Sequence, residues 1–481
     1  MEKIFNLRNT VIFVAVSAIW KIFLSSILCL HPDEAYYWLW SKHLALSYYD
    51  HAPMVSYFIK ITTLFSDSEL AVRFSAIITI IILSVLIWKL AMSLFENEII
   101  AAGSVMLVHS MPIVFSASFI ITPDTPSFLF LSFATFYFWK FIQKENGNYW
   151  YLIGIFFGLA LLSKYTAVLL MLGVGIYVLM LKKYYWLKQY RLYIGLLISF
   201  VCFLPVIYWN YENSWVSFAY QLGHGLGRKG YRINYVFDYI GSQMLIFSAI
   251  LFLPTMYAAF RYLFSKNSQK VFLASISLAT ILFYLFTSLK KSPEANWPIP
   301  AYFTFAVISA KYFLESGQIK KRIFVFSIIF NVVLSVIAGL HAAFSIVPLD
   351  KISKNIAVAE ATNWFYGYNT LADKLLSENV KYVLTPSHQL SAEIAYYSKN
   401  KIITHADSQS SKKSQYDLWG KPSVFDSKMP GAFVYETSEN NKTAPYDATL
   451  LFKNVSNEDD FCDIIRHRTV VRQFKIDKVL N

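Results

Sequence analysis

Apolar residues run almost without interruption for about 20 positions at a time along the first 345 residues, the length a helix needs to cross the hydrocarbon core of a bilayer. These runs predict spans near residues 10–30, 70–94, 99–120, 125–143, 191–209, 237–260, 271–289, 298–315 and 322–345. One further stretch, Tyr151 to Leu181, is too long for one ordinary span and is interrupted by Ser163-Lys164-Tyr165. Basic loops flank it, with Lys140 and Lys144 before and Lys182, Lys183, Lys188 and Arg191 after. Basic loops stay cytoplasmic, so the stretch must cross out and back as two short helices meeting near Lys164. The pattern therefore predicts eleven membrane segments with the N-terminus cytoplasmic. The basic loops at Lys266 and Lys320 fall on the same side. The loops at 31–69, 121–125, 210–236 and 290–297, and everything after residue 346, fall on the opposite, outer side.

Beyond about residue 350 the pattern changes to that of a soluble domain. Asn369–Glu378 and Ser387–Lys399 read as helices, and Lys381–Thr385, Ile402–His405, Ala432–Tyr435 and Thr449–Phe452 as short strands. The expected fold class is a polytopic α-helical membrane protein, residues 1–345, followed by a small α/β extramembrane domain, residues 346–481.

Composition agrees, since 56% of the 481 residues are hydrophobic and only 15% charged, against about 25% charged in soluble globular chains. The net charge of +13 does not signal nucleic acid, because the lysines and arginines lie in short runs between apolar stretches rather than along one face. Of three cysteines, Cys29 and Cys202 lie in apolar runs and Cys462 in the polar C-terminal region, which gives neither a disulfide framework nor a zinc pattern. Lys3 and Arg8 precede the first apolar run, but no small-residue cleavage site follows it, so an uncleaved first span is expected.

Ionisable residues gather on the outer face. The first outer loop opens with His31-Pro-Asp33-Glu34 and continues to Tyr48-Tyr49-Asp50-His51-Ala-Pro53. Asp124 stands in Thr122-Pro-Asp-Thr-Pro126, His224 and Arg228 in a Gly-rich loop, and Lys290, Lys291, Glu294 and Asn296 before the span near 298. Charge at membrane depth is expensive, so an ionisable residue there marks a functional site with a partner, and Lys164 fits that description best. The bland alternatives are interfacial capping, an aromatic belt and a snorkelling lysine. His109 and His341, within apolar runs, read as structural.

Asp33-Glu34 after the first span, Tyr48-Tyr-Asp-His-Ala-Pro53, Thr122-Pro-Asp-Thr-Pro126, Leu162-Ser-Lys-Tyr165 and Glu294-Ala-Asn-Trp-Pro298, in that order, resemble the dolichyl-phosphate-mannose protein mannosyltransferase superfamily. The likeness is to its bacterial branch, which includes the aminoarabinose transferases of lipid A. It implies the C-type glycosyltransferase fold, a bacterial inner-membrane location with a periplasmic active site, and an inverting enzyme. That enzyme would move a sugar from a polyprenyl-phosphate donor to a lipid or glycan acceptor, lipid A or lipopolysaccharide foremost. Asp33, with Glu34 beside it, and Asp124 match the family's catalytic carboxylates. Tyr49, His51, Lys164, Tyr165, His224, Arg228, Lys290, Lys291, Glu294 and Asn296 form the expected substrate-binding set. In the lipid A branch an acidic-basic pair before a proline binds metal and donor phosphate. Asp50 and His51 stand there, with His in place of the usual lysine, so Asp50 is the metal candidate and a divalent ion the one cofactor to consider. Membrane lipids are the remaining expected partners.

The chemistry is consistent with that expectation. Release of a phosphomonoester from a phosphodiester develops negative charge, which His51, Lys164, Arg228, Lys290 and Lys291 would stabilise. A hydroxyl acceptor needs a general base, and Asp33 is the candidate. A phosphate acceptor needs none, and Asp33 would then orient it. Two rival functions remain at this point. A protein O-mannosyltransferase would share fold and donor, although no outer loop is long enough for a β-trefoil insertion. A polyprenyl-linked glycan transporter would show paired broken halves, and only one broken segment is visible.

Overall fold

A computed structural model describes residues 1–226, 230–407, 413–423, 429–437, 460–466 and 468–479, with only the backbone of 224–226. The chain divides into two compact units. The first comprises Met1–Phe23, Leu46–Phe58 and Arg73–Ile337, and the second Leu24–Ala45, Ile59–Val72 and Ala338–Asn481.

The first unit is helical throughout its described residues. Helix Tyr149–Leu161 packs between Asp124–Lys144 and Tyr190–Glu212, helix Leu169–Met180 packs on Ser268–Thr287, and Tyr302–Leu314 on Glu98–Ser110. Ile87, Leu107, Phe138, Phe141, Phe272 and Phe305 fill the core. Between hydrocarbon-soluble helices, close approach comes from small residues. A Cβ added to Gly154 would lie 2.3 Å from the carbonyl oxygen of Gly195, and one added to Gly195 would lie 2.4 Å from that of Trp150. Ser199, four residues after Gly195, donates from its hydroxyl to the Gly154 carbonyl at 2.8 Å.

Among the described residues, five helices are long and apolar enough to cross a membrane: Leu7–Ile27, Glu69–Phe95, Tyr190–Glu212, Ser268–Thr287 and Gln318–Phe344. Large apolar side chains such as Val16, Leu197 and Phe326 are exposed on three of them, as they are where lipid rather than water is the solvent. Two expected spans are broken, one at a proline and the other shortly before one. The 99–120 run splits into Glu98–Ser110 and Pro112–Ala117, because Pro112 forces Met111 out of the helical region, to ψ 127°. The 237–260 run becomes Asn234–Phe247 and Phe252–Leu263, bent by 101°. Pro254 has no N–H, and its ring excludes a helical carbonyl four residues earlier, at Ile250. The stretch 151–181 is two short helices, with Lys164 extended between them at φ −156°, ψ 130°.

The second unit holds a five-stranded sheet. Its strands are β1 Tyr382–Thr385, β2 Ile403–Ala406, β3 Gly431–Thr437, β4 Phe461–Arg466 and β5 Thr469–Val479, in the order β2-β1-β3-β5-β4. β1 pairs in parallel with β2 and β3, whereas β5 pairs antiparallel with β3 and β4. The expected strand Thr449–Phe452 lies outside the described residues. The core is Leu371, Leu375, Val383, Ile394, Val434, Phe474 and Ile476. Helix His388–Tyr397 covers β1 and β2 and packs against helix Pro32–Lys42 of the same unit. At the end of β4 the buried Arg466 pairs with Glu360 and donates to Thr362 Oγ1 at 2.6 Å and Asn363 Oδ1 at 2.9 Å, so the buried guanidinium is matched by acceptors.

Candidate functional site

The residues singled out by sequence divide between the two units, Asp33 and Glu34 in the second and all the others in the first.

In the first unit, Asp124 opens helix Asp124–Lys144, where a carboxylate complements the helix dipole. It is buried at 3% exposure, and both its oxygens are taken. Lys164 Nζ reaches Oδ1 at 2.6 Å, and Asn296 Nδ2 donates to Oδ2 at 2.7 Å. Three residues spread over 172 positions thus meet in one polar group, and the break in the chain at Lys164 is what lets its ammonium turn back to Asp124.

A second group forms around the turn Tyr48–His51, closed by the Tyr48 N–H donating to the His51 carbonyl at 3.1 Å. Helix Val216–Leu226 clasps this turn. Gln221 donates to the Asp50 carbonyl and lies 3.2 Å from His51 Nδ1, Tyr49 rests on Tyr220 at 5.3 Å between ring centroids, and Ser217 binds the Tyr165 hydroxyl at 2.9 Å. Tyr165 in turn is 3.2 Å from Ser47 Oγ. Tyr49, Asp50, His51 and Tyr165 are therefore brought together. The His224 side chain and Arg228 lie outside the described residues. Lys290 is exposed over the ring of Tyr231 at 5.7 Å, Lys291 is half-buried, and Glu294 is exposed, its carbonyl accepting from Trp297. No group of three or more His, Cys, Asp or Glu that could hold a metal ion is found among the described residues.

In the second unit, Asp33 and Glu34 occupy the first turn of helix Pro32–Lys42 and have different environments. Glu34 is fully buried and completes a capping box, its Oε2 accepting the His31 N–H at 2.9 Å. Asp33 keeps 38% of its side chain exposed. Its N–H donates to His31 Nδ1 at 3.3 Å, and Gln389 Nε2 donates to its Oδ1 at 3.2 Å. The His31 ring stacks on Trp364, with centroids 5.1 Å apart and 6° between planes. Behind Gln389, Ser391 donates to the carbonyl of His405, whose imidazole burial holds below its ordinary value.

Sequence reasoning missed Gln221, Ser217 and Gln389. Each lies more than 50 residues from its partner, and no charge or local pattern marks it.

Residues 50–209 match the dolichyl-phosphate-mannose-protein mannosyltransferase family. The lipid A galacturonosyltransferase RgtD of Rhizobium johnstonii is 23% identical over 282 residues, which is 58% of this chain, and the chain spans 59% of the length of that curated relative. The crystal structure of ArnT from Cupriavidus metallidurans in the apo state superimposes with a TM-score of 0.69 at 12% identity, covering 97% of each chain. The chain has the fold of ArnT. The same protein bound to undecaprenyl phosphate gives 0.68 at 11% identity, with the same coverage. The resemblance to the mannosyltransferase superfamily accords with the family match over residues 50–209. That match contains Asp50, His51, Asp124, Lys164 and Tyr165, and lies between Asp33 and Asn296.

Proposed function

We propose that the chain is an inverting glycosyltransferase of the bacterial inner membrane. It moves a sugar from a polyprenyl-phosphate donor, undecaprenyl phosphate being the carrier, to lipid A or lipopolysaccharide. The observation that carries this reading is the likeness to ArnT over 97% of both chains, because one of the two ArnT structures holds undecaprenyl phosphate. The RgtD relative, a lipid A galacturonosyltransferase, supports lipid A as acceptor. In this reading all eleven expected segments cross or enter the membrane, residues 1–345 form the transfer domain, and 346–481 form a periplasmic domain.

The transfer is a single displacement. The acceptor oxygen attacks the anomeric carbon, the bond from that carbon to the phosphate oxygen breaks, and the electron pair leaves with the carrier phosphate. Asp33 takes the proton when the acceptor is a hydroxyl, since its carboxylate is partly open. Glu34 holds the start of the Asp33 helix. Lys164, kept in place by Asp124 and Asn296, together with His51, Arg228, Lys290 and Lys291, supplies positive charge for the leaving phosphate. Asp50, beside His51, is the residue to test for a divalent ion, and Tyr49, Tyr165, His224 and Glu294 complete the substrate-binding set.

Asp33→Asn keeps the shape but cannot accept a proton. With purified, reconstituted protein, undecaprenyl-phosphate-linked sugar and lipid A, transfer to a hydroxyl is expected to fall by about 10²–10⁴-fold while donor binding survives. Near-wild-type turnover would remove Asp33 from the chemistry.

A further inference from the structure

We infer that Gln389, on the first turn of helix His388–Tyr397, is the positioning residue for Asp33. The inference rests on the proposed role of Asp33. Gln389 Nε2 donates to Asp33 Oδ1 at 3.2 Å, and Ser387 Oγ donates to Gln389 Oε1 at 3.1 Å. Reversing the amide would set its oxygen against the carboxylate, so these two contacts fix its orientation. Ser387 is itself held at the carboxyl end of β1. Its carbonyl accepts from Thr385 Oγ1 at 2.6 Å, and its N–H donates to the same oxygen at 3.2 Å. Thr385 is 2.9 Å from Ser391 Oγ, which donates to the His405 carbonyl in β2 at 2.8 Å. A line of hydrogen bonds thus runs from Thr385 at the end of β1 through Ser387 and one amide to one carboxylate oxygen.

The other oxygen is left for the acceptor. His31 Nδ1 lies 3.9 Å from Asp33 Oδ2, but it accepts the Asp33 N–H and so has no proton there to donate. Among the described residues no hydrogen bond reaches Oδ2. A neutral amide suits this task, because it fixes the carboxylate without cancelling the charge that makes it a base. A lysine or arginine in the same place would pair with it and hold the proton affinity down.

The test uses full-length reconstituted protein, purified lipid A and whichever undecaprenyl-phosphate-linked sugar the wild type transfers. Gln389→Leu is expected to lower turnover about 10-fold with the donor KM unchanged, the size of one partly exposed hydrogen bond to a charged group. Gln389→Glu matches the shape of glutamine but presents an acceptor to the carboxylate, and should be slower still. A merely structural glutamine would give the reverse order, because the isosteric change would disturb packing less than leucine. In the Asp33→Asn background, Gln389→Leu should cost little more, since its effect is exerted through Asp33. Wild-type turnover in Gln389→Leu, a milder effect of Gln389→Glu, or fully additive losses would each overturn the inference. An active Asp33→Asn would instead overturn the reading of Asp33 on which it rests.

Discussion

Asp124 and Asp33 each directly follow a proline and lie in the first turn of a helix, yet their surroundings are opposed. Asp124 is buried, and a lysine and an asparagine each take one of its oxygens. Asp33 is partly open, and one neutral amide holds it by a single oxygen. A buried carboxylate must be neutralised by its neighbours to exist at all, and once neutralised it serves to hold a lysine in place. A carboxylate at a wet surface can keep its charge and its reactivity, and needs its neighbours only for aim. In the proposed reading, the same residue type is fitted to two tasks by its burial.

The comparison breaks most severely at Lys164. Lys164→Met leaves Asp124 buried without its cation, a loss of about 3–5 kcal/mol by analogy with other severed buried pairs. Thermal unfolding in detergent should show this, and Asp124→Asn added to Lys164→Met should recover much of it. A single mutant as stable as wild type would mean that the pair does not organise the first unit. Gly154→Leu comes next, because the helix it would push away from Gly195 is the one that ends just before Lys164. Overpacking against backbone should cost about 1–3 kcal/mol, while Gly175→Ala, where an added Cβ meets nothing within 4 Å, should be silent in the same melt. The smallest effect sharpens the contrast within helix Pro32–Lys42. Glu34→Gln keeps an acceptor for the His31 N–H and loses a buried charge at a helix N-terminus, up to about 2 kcal/mol. Its turnover should stay near wild type under conditions where Asp33→Asn has collapsed, and an equal collapse would move the chemistry to Glu34.

Much of the first unit was legible because hydrocarbon imposes a simple rule on sequence. Runs of apolar residues gave the helices, and the positive loops correctly required a break at Lys164. The runs did not reveal where a helix would stop short, as at Met111 and near Pro254, since a proline in an apolar run is tolerated in some helices and ends others. Tyr190–Glu212 carries Pro205 in its interior without breaking. In the second unit the helices Tyr368–Ser377 and His388–Tyr397 and three strands were legible, whereas helix Pro32–Lys42, read as part of a loop, β4 and β5 were not. β4 alternates exposed Phe461, Asp463 and Ile465 with buried Cys462, Ile464 and Arg466, and an arginine at an inward position hides the period. In the polar groups that the structure forms, the charged members had been singled out from the sequence, whereas most of their neutral partners had not. Asn296 came with a motif, but Gln221 and Gln389 are ordinary surface-type residues until the fold brings them to His51 and Asp33.

The contact between Asp33 and Gln389 spans 356 positions of chain. During synthesis the helix bearing Asp33 is among the first segments made, and the Gln389 amide that bonds to it is among the last. Closing so long a loop is slow compared with forming local helices, so the pair should be among the late contacts to form. The order of translation then acts as a timer, leaving the Asp33 carboxylate of a nascent chain without its Gln389 contact until the helix that Ser387 caps has formed.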